Sequence, residues 1–193
     1  MNFLTDFADQ AVMLPLILCM AAMLAILGWP RGGIAWVLAT AGTFGLMLLL
    51  KLVFLGCGSV LAWTGISSPS GHAAAAALVA GGITTLFTGS RPWVMAASIL
   101  AGFVIGVTRV HLAVHSIEEV ILGGTIGLCG AIALSVAAGP PPAPRLLPLA
   151  LVVGVVVIAT HGTRLPAESA IRHTASLLRL IVPWCQPAPP VGS

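Results

Sequence analysis

Six long apolar runs, at about residues 11–29, 33–55, 72–88, 92–108, 117–138 and 146–161, leave the chain few ways to fold. A helix needs about 20 mostly apolar residues to cross a bilayer, and each run approaches that length. The separators "GWPRGG", "GCGSVLAWTGISSPS", "TGSRP", "TRVHLAVHS" and "GPPPAPR" carry the glycine, proline and polar residues that interrupt helices. The expected fold class is all-α: an integral membrane bundle of about six transmembrane helices. Composition agrees, since 7% of residues are charged and mean hydropathy is +1.10, whereas soluble domains carry about a quarter charged residues. The net charge of +3 comes from eight scattered basic residues with no basic run, so nucleic acid is not an expected partner.

Small residues recur at helix-packing intervals, as in Gly102 to Gly106, Gly123 to Gly127 and the alanine run Ala73 to Ala77. They let helices approach closely in lipid, where burial alone does not drive association. One bundle over residues 1–161 follows. Beyond it, over residues 162–193, Ile171, Ala175, Leu178 and Val182 fall on one helical face and Glu168, Arg172, Ser176 and Arg179 on the other. That pattern predicts an amphipathic helix lying in the membrane interface, followed by a disordered proline-rich end. The N-terminus "MNFLTDFADQ" has no basic residue and is the wrong start for a cleaved signal peptide. Four cysteines without a CxxC pair argue against a zinc cluster or a disulfide framework.

With six spans, Arg31, Arg91 and Arg145 share the short loops of one side, and short-loop positive charges mark the cytoplasm. The polar loops 56–71 and 109–116 then face outward, with the tail. The compact size points to a bacterial inner membrane.

Ionisable residues in such a chain call for a reason, because each is costly unless paired or facing a polar cavity. Lys51 interrupts "FGLMLLLKLVFLG", and Arg109, His111, His115, Glu118 and Glu119 crowd one junction. Lys51 alone also reads as a snorkelling side chain. In "GISSPSGHAAAAALVA", Ser70 as N-cap would aim the free N–H groups of residues 71–73 into the loop, a geometry that binds phosphate, with Gly71 permitting close approach. The same four residues are also ordinary turn chemistry. His72, in the first turn, would be a proton donor to a leaving oxygen. His115 and Glu119 lie four apart, on one face if the helix has begun there, so that the carboxylate fixes the imidazole and leaves its other nitrogen as base or nucleophile. His111 extends the spacing to H-x3-H-x3-E, which is also a metal stripe; the absence of HExxH and the adjacent anion-binding features argue against zinc.

"PSGH" at Pro69 to His72, followed by "TRVHLAVHSIEE" at residues 108–119, resembles the PAP2 superfamily of membrane phosphatases, which shares its site with the vanadium haloperoxidases. The family pattern is a lysine, six residues and Arg-Pro; then Pro-Ser-Gly-His; then Ser-Arg, five residues, His, three residues, Asp. The resemblance implies that His115 attacks phosphorus, Glu119 orients it, and His72 protonates the departing alcohol. It also implies that Lys51, Ser70, Gly71 and Arg109 surround the phosphate oxygens and that neither metal nor cofactor is needed. Thr108 stands for the usual serine and Glu119 for aspartate, one methylene longer. Gly58 and Ser59 stand where the family has Arg-Pro, removing one phosphate-binding cation. By parity the tail emerges on the same side, so Arg164, or secondarily Arg172, is the expected substitute.

These observations point to hydrolysis of a membrane lipid phosphate, of the phosphatidic acid, phosphatidylglycerol phosphate or polyprenyl phosphate class, with the site on the periplasmic side of the inner membrane. Two alternatives stay open: a phosphotransferase using the same residues, and a non-catalytic relative that binds lipid phosphate or acts as an assembly partner. Retention of both His72 and His115 speaks against the latter, because binding alone requires cations rather than a nucleophile and an acid.

Overall fold

The computed structural model describes residues 10–61, 64–142, 146–160, 162–163 and 167–185, which contain helices and turns and no strand. Among them are seven helices longer than one turn: α1 Gln10–Ile26, α2 Pro30–Gly56, α3 Gly71–Thr88, α4 Arg91–His111, α5 Ile117–Ala138, α6 Leu146–Thr160 and α7 Ala167–Ile181. A single helical turn, Gly58–Leu61, follows α2, and a 3-10 turn, Pro183–Cys185, follows α7. Arg145, Arg164 and the chain beyond residue 185 lie outside the described residues.

The punctuation in the sequence acts as its chemistry dictates. Proline occupies the first turn of α2 and of α4, where a missing N–H costs nothing. Gly89 ends α3 in the left-handed region with φ of 60°, the usual task of a C-terminal glycine. One boundary differs from expectation: α4 runs on to His111, so Arg109 and His111 sit on its last turn and not in a loop. The Arg109 guanidinium there suits the negative end of the helix dipole.

Four helices, α2 to α5, are long and apolar enough to cross a membrane; the apolar stretches Ala11–Ile26 and Leu147–Thr160 are shorter. Their outward faces carry Leu38, Leu49, Phe103, Ile121 and Ile158, all more than half exposed, as lipid contact requires. The chain is a membrane protein built as a helical bundle.

α3 is the innermost of the four, with 61% of its span buried against 22 to 33% for the others. Its alanines and glycines make this possible. Ala73, Ala74 and Ala77 are fully enclosed, and a Cβ on Gly127 would collide with Ala74, on Gly102 would press on Ala77, and on Gly82 would strike the ring of the buried Trp36. Because lipid tails solvate leucine as well as protein does, close contact between small residues is what holds such helices together. α1 and α6 close the other side of the core, through Met20, Leu24, Leu149 and Val156.

α7 does not stand apart from the bundle. Ala175 is buried, Ile171, Leu178 and Val182 are half-buried, and the Ala175 carbonyl passes 3.4 Å from where a Cβ on Gly56 would sit. Arg179 donates from Nε to the Gly56 carbonyl at 3.1 Å and from Nη2 to the Leu55 carbonyl at 2.9 Å, closing the end of α2. The expectation of no disulfide is overturned: Cys57 is bonded to Cys185 across 128 residues, with Cα atoms 4.3 Å apart. Spacing did not reveal this pair because the packing of α7 against α2 creates the proximity. Cys19 and Cys129 are free and exposed.

The close approach of α5 to the start of α3 gives a paired prediction. A Cβ on Gly123 would overlap the Ser70 backbone, whereas one on Gly124 meets nothing within 4 Å. Gly123→Ala is expected to destabilise the protein by about 1 to 3 kcal/mol through overpacking, and Gly124→Ala to be neutral or stabilising by up to about 1 kcal/mol, as read by equilibrium unfolding in detergent.

Candidate active site

The polar residues gather at one end of the bundle, where α2 and α4 finish and α3 and α5 begin. Arg31 marks the opposite end, its Nε donating to the Ala137 carbonyl at 2.9 Å.

Glu119 is the centre of the assembly. It is buried, at 3% exposure, and its two oxygens are fully engaged. Oε1 accepts from the Ser67 N–H at 2.8 Å, the Ser67 hydroxyl at 2.6 Å and the Ser68 N–H at 2.8 Å. Oε2 accepts from His115 Nδ1 at 2.7 Å and the Ser116 N–H at 3.2 Å. Five donors supply the solvation that a carboxylate loses on burial. The Glu119 backbone carbonyl also accepts from the Ser70 N–H at 3.0 Å, so the loop before α3 is tied to the start of α5 at both its side-chain and main-chain level.

The local sequence explains why Glu119 stands there. Ser116 caps α5 and accepts from the Glu119 N–H at 3.3 Å, while Glu119 reaches back to the Ser116 N–H, a reciprocal capping box. The S-x-x-E signature at residues 116–119 announces this arrangement, and sequence reasoning passed over it. His115 therefore precedes the helix and does not share a helical face with Glu119. The pair meets because Glu119 folds back over the helix start, which is how the longer side chain reaches the imidazole.

The turn that delivers His115 is equally specific. α4 ends with Val114 N–H bonded to the Arg109 carbonyl at 3.2 Å and Ala113 N–H to the Val110 carbonyl at 2.9 Å, a Schellman pattern. Ala113 holds the left-handed position with φ of 54°, a conformation that costs a residue with a Cβ about 1 kcal/mol or more. Thr108 is buried and bonds back to the Ile105 carbonyl at 2.7 Å.

Across the site, Ser70 is fully buried as the N-cap of α3, its hydroxyl accepting from the Ala73 N–H at 3.4 Å. Gly71 and His72 occupy the first turn, and Lys51 Cε lies 3.5 Å from the position a Cβ on Gly71 would take. Lys51 is buried and does not snorkel: its Nζ donates to Ser68 Oγ at 3.2 Å and pairs with Glu168 Oε2 at 2.7 Å. Arg109 is half-buried on the last turn of α4, and its charge and that of Lys51 both act on His115. The structure thus brings Lys51, Ser70, Gly71, His72, Arg109, His115 and Glu119 to one end of the bundle. Glu118 and His111 are exposed, and among the described residues no three histidine, cysteine or acidic side chains converge as metal ligands.

The tail reaches the site through Glu168, a residue that sequence reasoning did not single out for it. Arg164 lies outside the described residues, and Arg172 points to Glu168 Oε1 at 3.4 Å. Glu168 makes the contact with Lys51. Burial would raise the Glu168 carboxyl, but the hydrogen bond from Lys51 and the charges of Lys51, Arg172 and His115 outweigh it and hold the group below its ordinary range. No short-range pattern links positions 51 and 168, so sequence reasoning missed it.

His115 is held below its usual value of 6.5, first by burial and further by Lys51 and Arg109, with Glu119 opposing. At neutral pH the imidazole is uncharged, Nδ1 donates to Glu119, and Nε2 carries the free lone pair.

The family model of the PAP2 superfamily matches residues 33–139, more than half of the chain. No curated protein and no solved structure matches it.

Carbethoxylation requires a neutral imidazole, so peptide mapping after diethylpyrocarbonate treatment is expected to show half-maximal reaction of His115 below pH 6.5. Since Glu119 raises the His115 value, Glu119→Gln is expected to move that midpoint further down. A midpoint above 6.5 would contradict the burial argument.

Proposed function

The chain belongs to the PAP2 superfamily, and we propose that it is a membrane phosphatase that hydrolyses a lipid phosphate through a phosphohistidine. The observation that carries this reading is the His115–Glu119 pair at 2.7 Å, anchored through Ser67 and Ser68 to the loop that opens α3. A nucleophile with its orienting group is thereby held beside a helix start, Lys51 and Arg109.

In this reading His115 Nε2 attacks phosphorus while Nδ1–H stays on Glu119. The bond to the leaving oxygen breaks, and His72 gives that oxygen its proton. Water then attacks the phosphohistidine, transferring a proton to His72, and the P–N bond breaks to release inorganic phosphate and restore His115. Phosphoryl transfer requires mainly charge stabilisation at the equatorial oxygens. In this reading Lys51, Arg109, the Ser70 hydroxyl and the Gly71 N–H take that role, and the chemistry proceeds without metal or cofactor. The contact between Lys51 and a carboxylate supports the assignment, since it is the interaction that a phosphate oxygen would make.

The substrate is drawn from the bilayer. The site sits at the end of helices whose sides are apolar and exposed, the depth at which a lipid head group lies. Phosphatidic acid, phosphatidylglycerol phosphate and polyprenyl phosphate or diphosphate all meet that requirement. In a six-span arrangement the site faces the periplasm of an inner membrane: Arg31 and Arg91 belong to the opposite end, as the positive-inside rule requires. The Cys57–Cys185 bond lies on the site's side and suits an oxidising compartment.

Phosphate release by detergent-purified protein from a panel of these lipids tests the reading. Release unaffected by EDTA, lowered at least about a thousandfold by His115→Ala and about a hundredfold or more by Arg109→Ala, is expected. Loss of activity in EDTA, or full activity without His115, would sink the phosphohistidine mechanism.

A further inference from the structure

The mechanism uses Lys51, Arg109, His72 and His115 and gives Glu168 no task, yet Glu168 is the carboxylate paired with Lys51. We propose that Glu168 is an internal competitor for the phosphate subsite: its carboxylate occupies Lys51 until a phosphate group displaces it, and the Cys57–Cys185 bond sets how strongly it competes. The inference rests on reading the site as a phosphate site.

Three observations carry it. The first is the contact itself. Glu168 presents Oε2 at 2.7 Å to Lys51, the cation that the mechanism assigns to a phosphate oxygen, while its Oε1 meets Arg172, four residues on in the same helix, at 3.4 Å. The second is the asymmetry of the pair: the Lys51 side chain is 7% exposed and also bonded to Ser68, whereas the Glu168 side chain is 47% exposed. The lysine is fixed by the bundle, and the carboxylate is the partner with room to leave. The third is the attachment of α7. Its C-terminal half is fastened to the end of α2 by the disulfide, by Arg179 on the Leu55 and Gly56 carbonyls, and by the packing of Ala175 on Gly56. Its first turn is held to Lys51 through Glu168.

That arrangement makes the competition intramolecular. A tethered group acts at an effective concentration set by its linkage, so Glu168 opposes free or lipid-borne phosphate at a constant level as long as the tether is intact. Exchange needs only a movement of the Glu168 side chain or of the first turn of α7, while the disulfide end stays in place. Removing the carboxylate, or releasing the tether, unmasks Lys51. The same contact explains how a buried lysine remains charge-paired in a membrane protein while the site is empty of substrate.

The test is the binding of inorganic phosphate to the full chain in detergent by calorimetry, repeated in the His115→Ala background so that turnover plays no part. Glu168→Gln is expected to tighten phosphate about tenfold, the scale of one hydrogen bond to a charged group. Cys185→Ser is expected to act in the same direction by a smaller factor. So is treatment of the unmodified protein with a phosphine, which becomes the phosphine oxide with the oxygen of one water and leaves two thiols. Adding Lys51→Ala to Glu168→Gln is expected to erase the gain. A parallel measurement on vesicles containing phosphatidic acid is expected to show the same ratio. Phosphate that binds but is indifferent to Glu168→Gln overturns the inference alone, as does a gain confined to the lipid, which would mean that α7 screens the chain and not the phosphate. Phosphate that binds to none of the variants removes the phosphate reading of the site, and this inference with it.

Discussion

The site depends on one buried carboxylate. In an apolar bundle an unpaired Glu119 would cost several kcal/mol, and the cost is offset only if every donor around it is in place. Ser67 and Ser68 must fold over it, Ser116 must cap α5, and His115 must turn its Nδ1 toward it. The requirement for solvation thus fixes the geometry of two segments that are distant in sequence. A buried polar network of this kind stabilises one arrangement because partial satisfaction is worse than none.

The bundle beneath it is shaped by the opposite rule. α3 carries almost no side-chain bulk, so α4 and α5 approach it closely, and the loop before α3 can pass over Gly123. Had the central helix been rich in leucine, the same sequence order would have held the polar ends too far apart for Ser70 to reach the Glu119 carbonyl. The small residues of the membrane interior and the polar residues of its rim are two parts of one solution.

Much of this was legible in the sequence, and the misses are of two kinds, local and long-range. The helices of the bundle, the Ser70 cap and the closeness demanded by glycine and alanine follow from local patterns of apolarity, turn chemistry and size. The capping box at residues 116–119 was equally local and was overlooked because His115 and Glu119 at four-residue spacing suggested a shared helical face. The end of α4 was set too early because Arg109 and His111 looked like loop residues, although a helix C-terminus favours cations. The remaining differences are long-range. Lys51 with Glu168 and Cys57 with Cys185 are brought together by α7 folding onto α2, and no periodicity encodes which polar residue of an amphipathic helix meets which partner.

The capping of the helices has an electrostatic consequence for the whole end of the bundle. Antiparallel helices bring termini of both signs to the same surface, and their partial charges tend to cancel. Here the negative ends are met by cations: α4 by its own Arg109, α2 by Arg179. The positive end of α5 is neutralised by Glu119, and that of α7 has Glu168 in its first turn. α3 alone among these begins with no acidic residue in its first turn. The helix dipole that no acidic residue of its own first turn opposes is therefore the one that ends at Gly71, the helix start at which the proposed phosphate site stands.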